Sequence, residues 1–180
     1  MFKKTNIALC LLLILSILCS CNSPSFSNVN SNEVDYNFNY ETSSYKDARF
    51  VVPAEWNYFQ SDLNDFYANK NNEYFLITFT PDYEDINDIQ TEPVINLLNN
   101  YGEISDIKFS EGAIVNIDDL KAYSANLSFK NISETKKATL YEIPLHGILY
   151  ILMFVSNSAN NNSEIEAAMP KIISSMTFDR

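Results

Sequence analysis

The spacing of apolar residues along this chain changes several times, and each change marks an element. Ile148 to Val155 is an unbroken run of eight apolar residues, several of them β-branched or aromatic. It is too short to cross a bilayer, and it predicts a strand buried on both faces near the centre of a sheet. Upstream, in the strand-like stretch Leu120 to Phe129, Tyr123, Ala125, Leu127 and Phe129 alternate with Ala122, Ser124, Asn126 and Ser128. That period of two predicts one buried and one half-exposed face. Between Glu73 and Thr80, Phe75, Ile77 and Phe79 point one way while Tyr74 and Leu76 point the other, so both faces need cover. With Phe66 to Asn69 this stretch reads as a hairpin across Asn69-Lys70-Asn71-Asn72. Arg49 to Val52 reads as a strand stopped by Pro53, which has no N–H to give to a ladder. Ile104 to Phe109, Ala113 to Ile117 and Ala138 to Ile143 are further strands, with turns at Asp118-Asp119 and Asn131 to Lys136.

Two stretches switch to a helical period. Within Tyr83 to Asn100, Val94, Leu97, Leu98 and Tyr101 share a face; Thr91 or Asp88 can cap the start, Pro93 is tolerable in the first turn, and Gly102 ends the helix. Later, Ser163 opens a capping box with Glu166, and Ile165, Ala168, Met169, Ile172, Ile173 and Met176 form one stripe. Pro170 lies inside that stripe and is expected to kink or split the helix, at a cost of about 3 kcal/mol if unrelieved. Antiparallel strands with one helix in the middle and one at the end define an α+β domain. Two faces to cover and two helices to cover them predict a three-layer α/β/α sandwich around a central, mainly antiparallel sheet.

The first 44 residues follow a different pattern. Met1-Phe2-Lys3-Lys4 is basic and Ile7 to Leu18 is an almost unbroken apolar run. As a helix this run would be about 18 Å long, against about 30 Å of hydrocarbon, so residues 1–20 read as a secretory signal. Leu18-Cys19-Ser20-Cys21 resembles a bacterial lipoprotein lipobox. The resemblance implies acylation of Cys21 and attachment to the lipid bilayer, on the extracytoplasmic face of the cell membrane, by two or three chains. At roughly 0.8 kcal/mol per buried CH₂, more than one chain gives stable anchoring. Cys19 is a competing site with the bulky Leu18 before it; ordinary secretion and a retained anchor are the alternatives. Residues 21–44 then read as the lipidated Cys and a tether. Twelve of the 23 residues from Asn22 to Ser44 are Asn or Ser, too little apolar surface to offset the entropy of ordering. As a flexible coil it would reach about 25–30 Å. Tyr36, Phe38 and Tyr40 alternate with polar residues, which leaves a short added strand open. The globular domain is read as residues 45–180.

Charge and cysteine content narrow the function. Cleavage before Cys21 removes Lys3 and Lys4 from the 12 basic residues and none of the 23 acidic ones, leaving a net charge of −13. Such acidity argues against nucleic acid, whose phosphates need Lys and Arg, and against lying flat on anionic lipid. Cys10 and Cys19 leave with the leader. The domain therefore has no disulfide and no thiol nucleophile, and must rest on a hydrophobic core.

Tyr45 and the run Phe50-Val51-Val52-Pro53-Ala54-Glu55-Trp56 resemble the opening strand and Pro-x-x-Trp turn of PsbP-like domains. The late apolar strand, the helix after it and Ser174-Ser175-Met176-Thr177-Phe178 are similar to the close of that family. The resemblance spans Tyr45 to Arg180 and implies an α/β/α sandwich and a non-enzymatic accessory or binding role; many members are small bacterial lipoproteins. In photosynthetic members the domain supports a manganese–calcium centre. Nothing in this chain matches a metal motif, and that role is not carried over.

The residues themselves offer few sites. His146 is the only histidine and lies in Pro144-Leu145-His146-Gly147, between strands; without a second His or a Cys, zinc and thiol chemistry lack their ligands. Gly102, Gly112 and Gly147 are the only glycines, too few for a phosphate-cradling loop, and no Gly-x-Ser-x-Gly elbow occurs. Asp82, Glu84, Asp85, Asn87 and Asp88 form an oxygen-rich cluster that calcium could accept, but its spacing lacks the Gly and terminal Glu of an EF-hand loop. Acids before a helix also answer its dipole. Trp56, Tyr58 and Phe59 are candidates for an aromatic platform, or for core. The expectation is a membrane-anchored, non-enzymatic module, needing no cofactor, that binds an envelope protein or a small ligand. A carboxylate-dependent hydrolase and an envelope spacer without a ligand are the alternatives.

Overall fold

The computed structural model describes residues 36–60, 65–83, 86–157 and 162–179. The leader, Cys21 and the tether through residue 35 lie outside these, as do Glu84 and Asp85. In chain order the elements are β1 (Tyr40–Tyr45), β2 (Ala48–Pro53), β3 (Asn57–Gln60), β4 (Phe66–Lys70), β5 (Glu73–Pro81), α1 (Thr91–Asn99), β6 (Ile104–Phe109), β7 (Ala113–Ile117), β8 (Leu120–Asn131), β9 (Glu134–Leu145), β10 (Ile148–Asn157), α2 (Glu164–Ser175) and β11 (Thr177–Phe178). The large sheet runs β3-β4-β5-β10-β9-β8-β6, with β7 also paired to β8; a small sheet runs β1-β2-β11. Its ladders are antiparallel, as in the central pairs β10 with β5 and β10 with β9.

The eight-residue apolar run sits in the middle of the large sheet. Tyr150, Leu152 and Phe154 face one core cluster; Leu149, Ile151, Met153 and Val155 face the other. Both faces of the run Ile148 to Val155 are thus covered by core, which is why no charged or amide residue interrupts it. The first cluster takes Ile165, Ala168 and Ile172 from α2 together with Phe50 and Val52 from β2 and Phe178 from β11. The second takes Val94, Leu97 and Leu98 from α1. On the first face α2 shares its cover with the three-stranded sheet, a component that helix–sheet–helix layering lacks. Phe75 and Phe154 stack at 4.7 Å across the β5–β10 pair, within the favoured range for aromatic pairs. No helix among the described residues is long and apolar enough to span a membrane.

Short loops set the strand registers. Asn71 and Asn72, Asp118 and Asp119, and His146 and Gly147 each link paired strands with positive φ at both positions. This is the two-residue turn whose twist matches that of antiparallel strands. Asn and Asp tolerate this conformation because the short polar side chain bonds locally.

Several boundaries differ from the sequence reading. The ladder begins at Tyr40, pairing with Pro53, rather than at Tyr45: the alternating Tyr36, Phe38 and Tyr40 lie against the domain, with Phe38 edge-on to Trp56 at 6.3 Å. The start of α1 is Gln90, with no side-chain cap, in place of Thr91 or Asp88; the Gln90 N–H donates instead to Glu142 Oε2 at 2.7 Å. Pro170 does not split α2, which is continuous from Glu164 to Ser175. Pro170 shares the exposed side with Glu166 and Ala167, so the carbonyl that loses its donor there is open to water. Ser163 does cap α2, accepting from the Glu166 N–H at 3.2 Å. The Glu166 carboxylate, however, accepts from Ser156 Oγ at 2.8 Å rather than closing the box.

Candidate functional site

The aromatic candidates separate on folding. Trp56 is core, 4% exposed, because the turn after Pro53 tucks it under the first apolar face, so it is no platform. Tyr58 and Phe59 lie on β3, whose four residues are all exposed; Tyr58 is 48% and Phe59 52% exposed. β3 is an edge strand bonded only to β4 among the described strands. The Tyr58 ring leans on Phe66 at 6.0 Å and the Phe59 ring on Tyr67 at 5.1 Å. The carboxylate of Glu41, hydrogen-bonded to the Tyr58 hydroxyl, raises that hydroxyl's pKa. Natural edge strands are usually blunted with charge or Pro; β3 carries neither and displays a large aromatic on each side.

Of the acidic candidates, Asp82 and Asp88 fall among the described residues and Glu84 and Asp85 do not. Asp82 is an exposed turn residue with φ of +68°. Asp88 accepts from the Ile89 N–H at 2.7 Å, an ordinary way to settle the approach to a helix. Among the described residues no three His, Cys, Asp or Glu side chains come together as a metal set. His146 is exposed, in the β9–β10 turn.

A row of rings that no sequence period links continues inward from Phe59. Tyr67 of β4 and Tyr74 of β5 stack at 5.2 Å with 30° between planes; Tyr67 and Tyr101, just after α1, stack at 6.2 Å and 11°. The three rings line a cleft of about 370 Å³. Asn72 in the β4–β5 turn and Asn131, Ile132, Ser133, Glu134 and Lys136 of the β8–β9 hairpin line it too. The Tyr101 hydroxyl donates to Asp65 Oδ2 at 2.7 Å. Burial and that carboxylate push its pKa strongly up, so it stays a neutral phenol; burial does the same to Tyr74. Tyr67 and Tyr74 share a face only because the hairpin register places them there, and Tyr101 arrives from 27 residues further along the chain.

On the opposite sheet face a groove of about 380 Å³ is lined by Lys108, Asn126, Lys137, Ser156 and Glu166, among others, over Phe154. Among the described residues Glu142 is the one carboxyl whose pKa is raised, to about 7, chiefly by burial. It is 0% exposed and lines neither cleft.

No family model matches the chain, and no curated protein matches it in sequence. Solved structures do match in fold. The solution structure of cyanobacterial PsbP (CyanoP) from Synechocystis aligns over 85% of this chain and 100% of its own, with a TM-score of 0.57 and 11% identity. A crystal structure from Bacteroides thetaiotaomicron aligns over 81% of this chain with a TM-score of 0.50 and 11% identity. This chain spans about half, 50%, of that protein's length. LpqN of Mycobacterium tuberculosis, described as involved in cell envelope biogenesis, aligns over 81% of this chain and 94% of its own, at 13% identity and a TM-score of 0.44. At these identities the likeness speaks to architecture alone. A mostly antiparallel sheet with two helices, superposing on the whole of cyanobacterial PsbP, makes this an α+β domain of PsbP-like fold.

Proposed function

We propose that the protein is a non-enzymatic binding module, held by an acylated Cys21 on the extracytoplasmic face of the cell membrane, that docks an extended segment of another envelope protein on β3. The α1 and α2 layers on opposite faces make the sandwich a rigid scaffold for that edge. The single observation behind the docking is β3 itself: an edge strand paired, among the described strands, with β4 alone, with Tyr58 and Phe59 half exposed. Added strands gain affinity from main-chain hydrogen bonds and specificity from alternate side chains, and large aromatics are the commonest anchors of such contacts. The same edge left unoccupied is an aggregation liability in a secreted domain.

In membranes from cells making the full-length protein, a photo-crosslinker at position 59 should trap a partner that a crosslinker at Ile114, also exposed at 61%, does not. Changing Tyr58 and Phe59 together to Lys should cut recovery about tenfold or more, the scale of losing aromatic anchors. Equal recovery by the Lys pair, or equal trapping at position 114, would refute the docking.

The anchor has its own test. Cys21→Ala is expected to move the protein from the membrane pellet to the soluble fraction after osmotic or lysozyme release, because it removes every acyl chain. A Cys21→Ala protein that still pellets with membranes would contradict it.

A further inference from the structure

We propose that the groove on the α2 side of the large sheet is an oxyanion site, taking a phosphomonoester group between Lys108 and Lys137. This does not rest on the docking at β3. The groove exists because the first core cluster stops short of one edge of the sheet. On β8 and β9 that cluster includes Ala122 and Ile143. Further along the same face β8 presents Asn126 and Ser128, and β9 presents Thr139 and Lys137, all of which line the groove. The strand registers align the two amines. Lys108 of β6 lies opposite Ser128 of β8, and Ser128 lies opposite Lys137 of β9. Residues opposite one another in a ladder share a face, so both lysines rise from one side of the sheet with a serine between them. Neighbouring strands are about 4.8 Å apart, which sets the two lysine backbones about 10 Å apart. On flexible four-carbon stems, both amines can close on one group over Ser128.

The donors at this place are unused. Arg49, Lys70, Lys130 and Lys136 each meet a carboxylate, and Lys46 and Lys121 lie over aromatic rings. Among the described residues Lys108 and Lys137 make no ion pair and no hydrogen bond. Asp106, the one acid of β6, is held by Lys130 at 2.7 Å. Asn126 Oδ1 accepts from the Thr139 hydroxyl at 3.1 Å, which leaves the Asn126 Nδ2 as its unused end. Two amines, the Ser128 hydroxyl and an amide N–H₂ make a set rich in donors, and the group that answers it is rich in acceptors. A phosphomonoester carries a charge of about −1.5 to −2 and three strong acceptor oxygens. It therefore matches two ammonium groups, where a carboxylate brings a single charge. Glu166 is the one carboxylate lining the groove; it accepts from Ser156, which lies opposite Lys137 on the side away from Ser128. A second anionic group extending that way would meet like charge, so the groove selects a monoester over a longer polyanion. At about 380 Å³ it is near the small end of ligand sites, about 300–1,000 Å³.

The test is calorimetric and NMR titration of the full-length protein in detergent micelles at low salt, where such contacts are least screened. The probes are glycerol 3-phosphate and dioctanoyl phosphatidic acid, with acetate as the carboxylate control. At least one phosphate probe is expected to bind saturably with a Kd of about 1 mM or tighter, with shifts on residues 108, 126, 128 and 137. Either probe supports the site; tighter binding of the first gives a soluble source and of the second a lipid headgroup. Lys108→Gln and Lys137→Gln should each weaken binding about tenfold, the scale of one charged hydrogen bond, with unchanged melting curves. Lys171→Gln, the same loss of charge at an exposed position of α2 outside the groove, should leave it unchanged, and Glu166→Gln should tighten it. No saturation by either phosphate probe at ten times that concentration, acetate bound as tightly as phosphate, or equal weakening by Lys171→Gln would each overturn the assignment.

Discussion

Glu142→Gln is expected to make the fold more stable above pH 7 and to change it little near pH 5. Glu142 is fully buried on β9, facing the cluster under α1, between Tyr123 of β8 and Ile151 of β10. Its Oε2 accepts from the Gln90 N–H, while its Oε1 and the Tyr123 hydroxyl have no hydrogen-bond partner. Burial first, and the charge of Asp88 last, raise its pKa from about 4.5 to about 7, against the lowering effect of the Gln90 N–H. The folded state therefore keeps a proton that the unfolded chain gives up above about pH 4.5. Stability contributed by that proton is complete below pH 4.5, is lost as the pH rises through the folded value, and is gone above about pH 7. The raised value corresponds to about 3 kcal/mol. Gln cannot ionise, so the stability difference between variant and wild type should grow by about that amount between pH 5 and pH 8.5. Urea unfolding at the two pH values reads it directly, and a difference that does not change with pH would show that Glu142 stays charged.

Glu73→Ala is expected to destabilise the fold by about 3 kcal/mol and to loosen α2 in particular. Glu73 opens β5 yet is 3% exposed, because its carboxylate reaches the start of α2. There Oε2 accepts from Ser163 Oγ at 3.0 Å and from the Ile165 N–H at 3.2 Å. A carboxylate at a helix N-terminus meets both the unpaired N–H groups and the positive end of the dipole. Hydrogen bonds to a charged group are worth roughly 1.5–3 kcal/mol, and the buried donors left behind add a penalty. Nearby, Lys70 Nζ and Asn71 Nδ2 hold Glu164 at 3.2 Å each, but these are exposed contacts worth about 1 kcal/mol or less. Urea midpoints with hydrogen exchange on residues 164–175 test the idea. A midpoint shift equivalent to under about 0.5 kcal/mol, the level of an ordinary surface change, would mean the cap contributes nothing.

How much of this was legible in the chain depends on how local each signal is. The run Ile148–Val155, the alternation from Tyr123 to Phe129 and the Ser163 cap each declare themselves within a few residues, and each appears as read. β3 and β11 escaped because four and two residues are too short for any period to emerge; their pairing partners, β4 and β2, define them. β1 was hidden by polar composition, since Glu41 to Ser44 forms a strand only because β2 offers a ladder. Trp56 stayed open between platform and core because sequence shows an aromatic cluster but not the direction of its turn. The tyrosine cleft could not be read at all: its rings come from β4, β5 and the segment after α1, and only the fold brings them to one cleft. Glu142 was one acid among 23, and nothing local marks it as buried.

The small sheet also has a consequence for timing. β2 is flanked by β1 on one side and by β11 on the other, and the Asp179 N–H reaches the Asp47 carbonyl at 2.9 Å. Segments about 130 residues apart must meet before that layer can close over Phe50 and Tyr150. Such distant closures are slow, so a nascent chain cannot complete this layer until residue 178 has been synthesised.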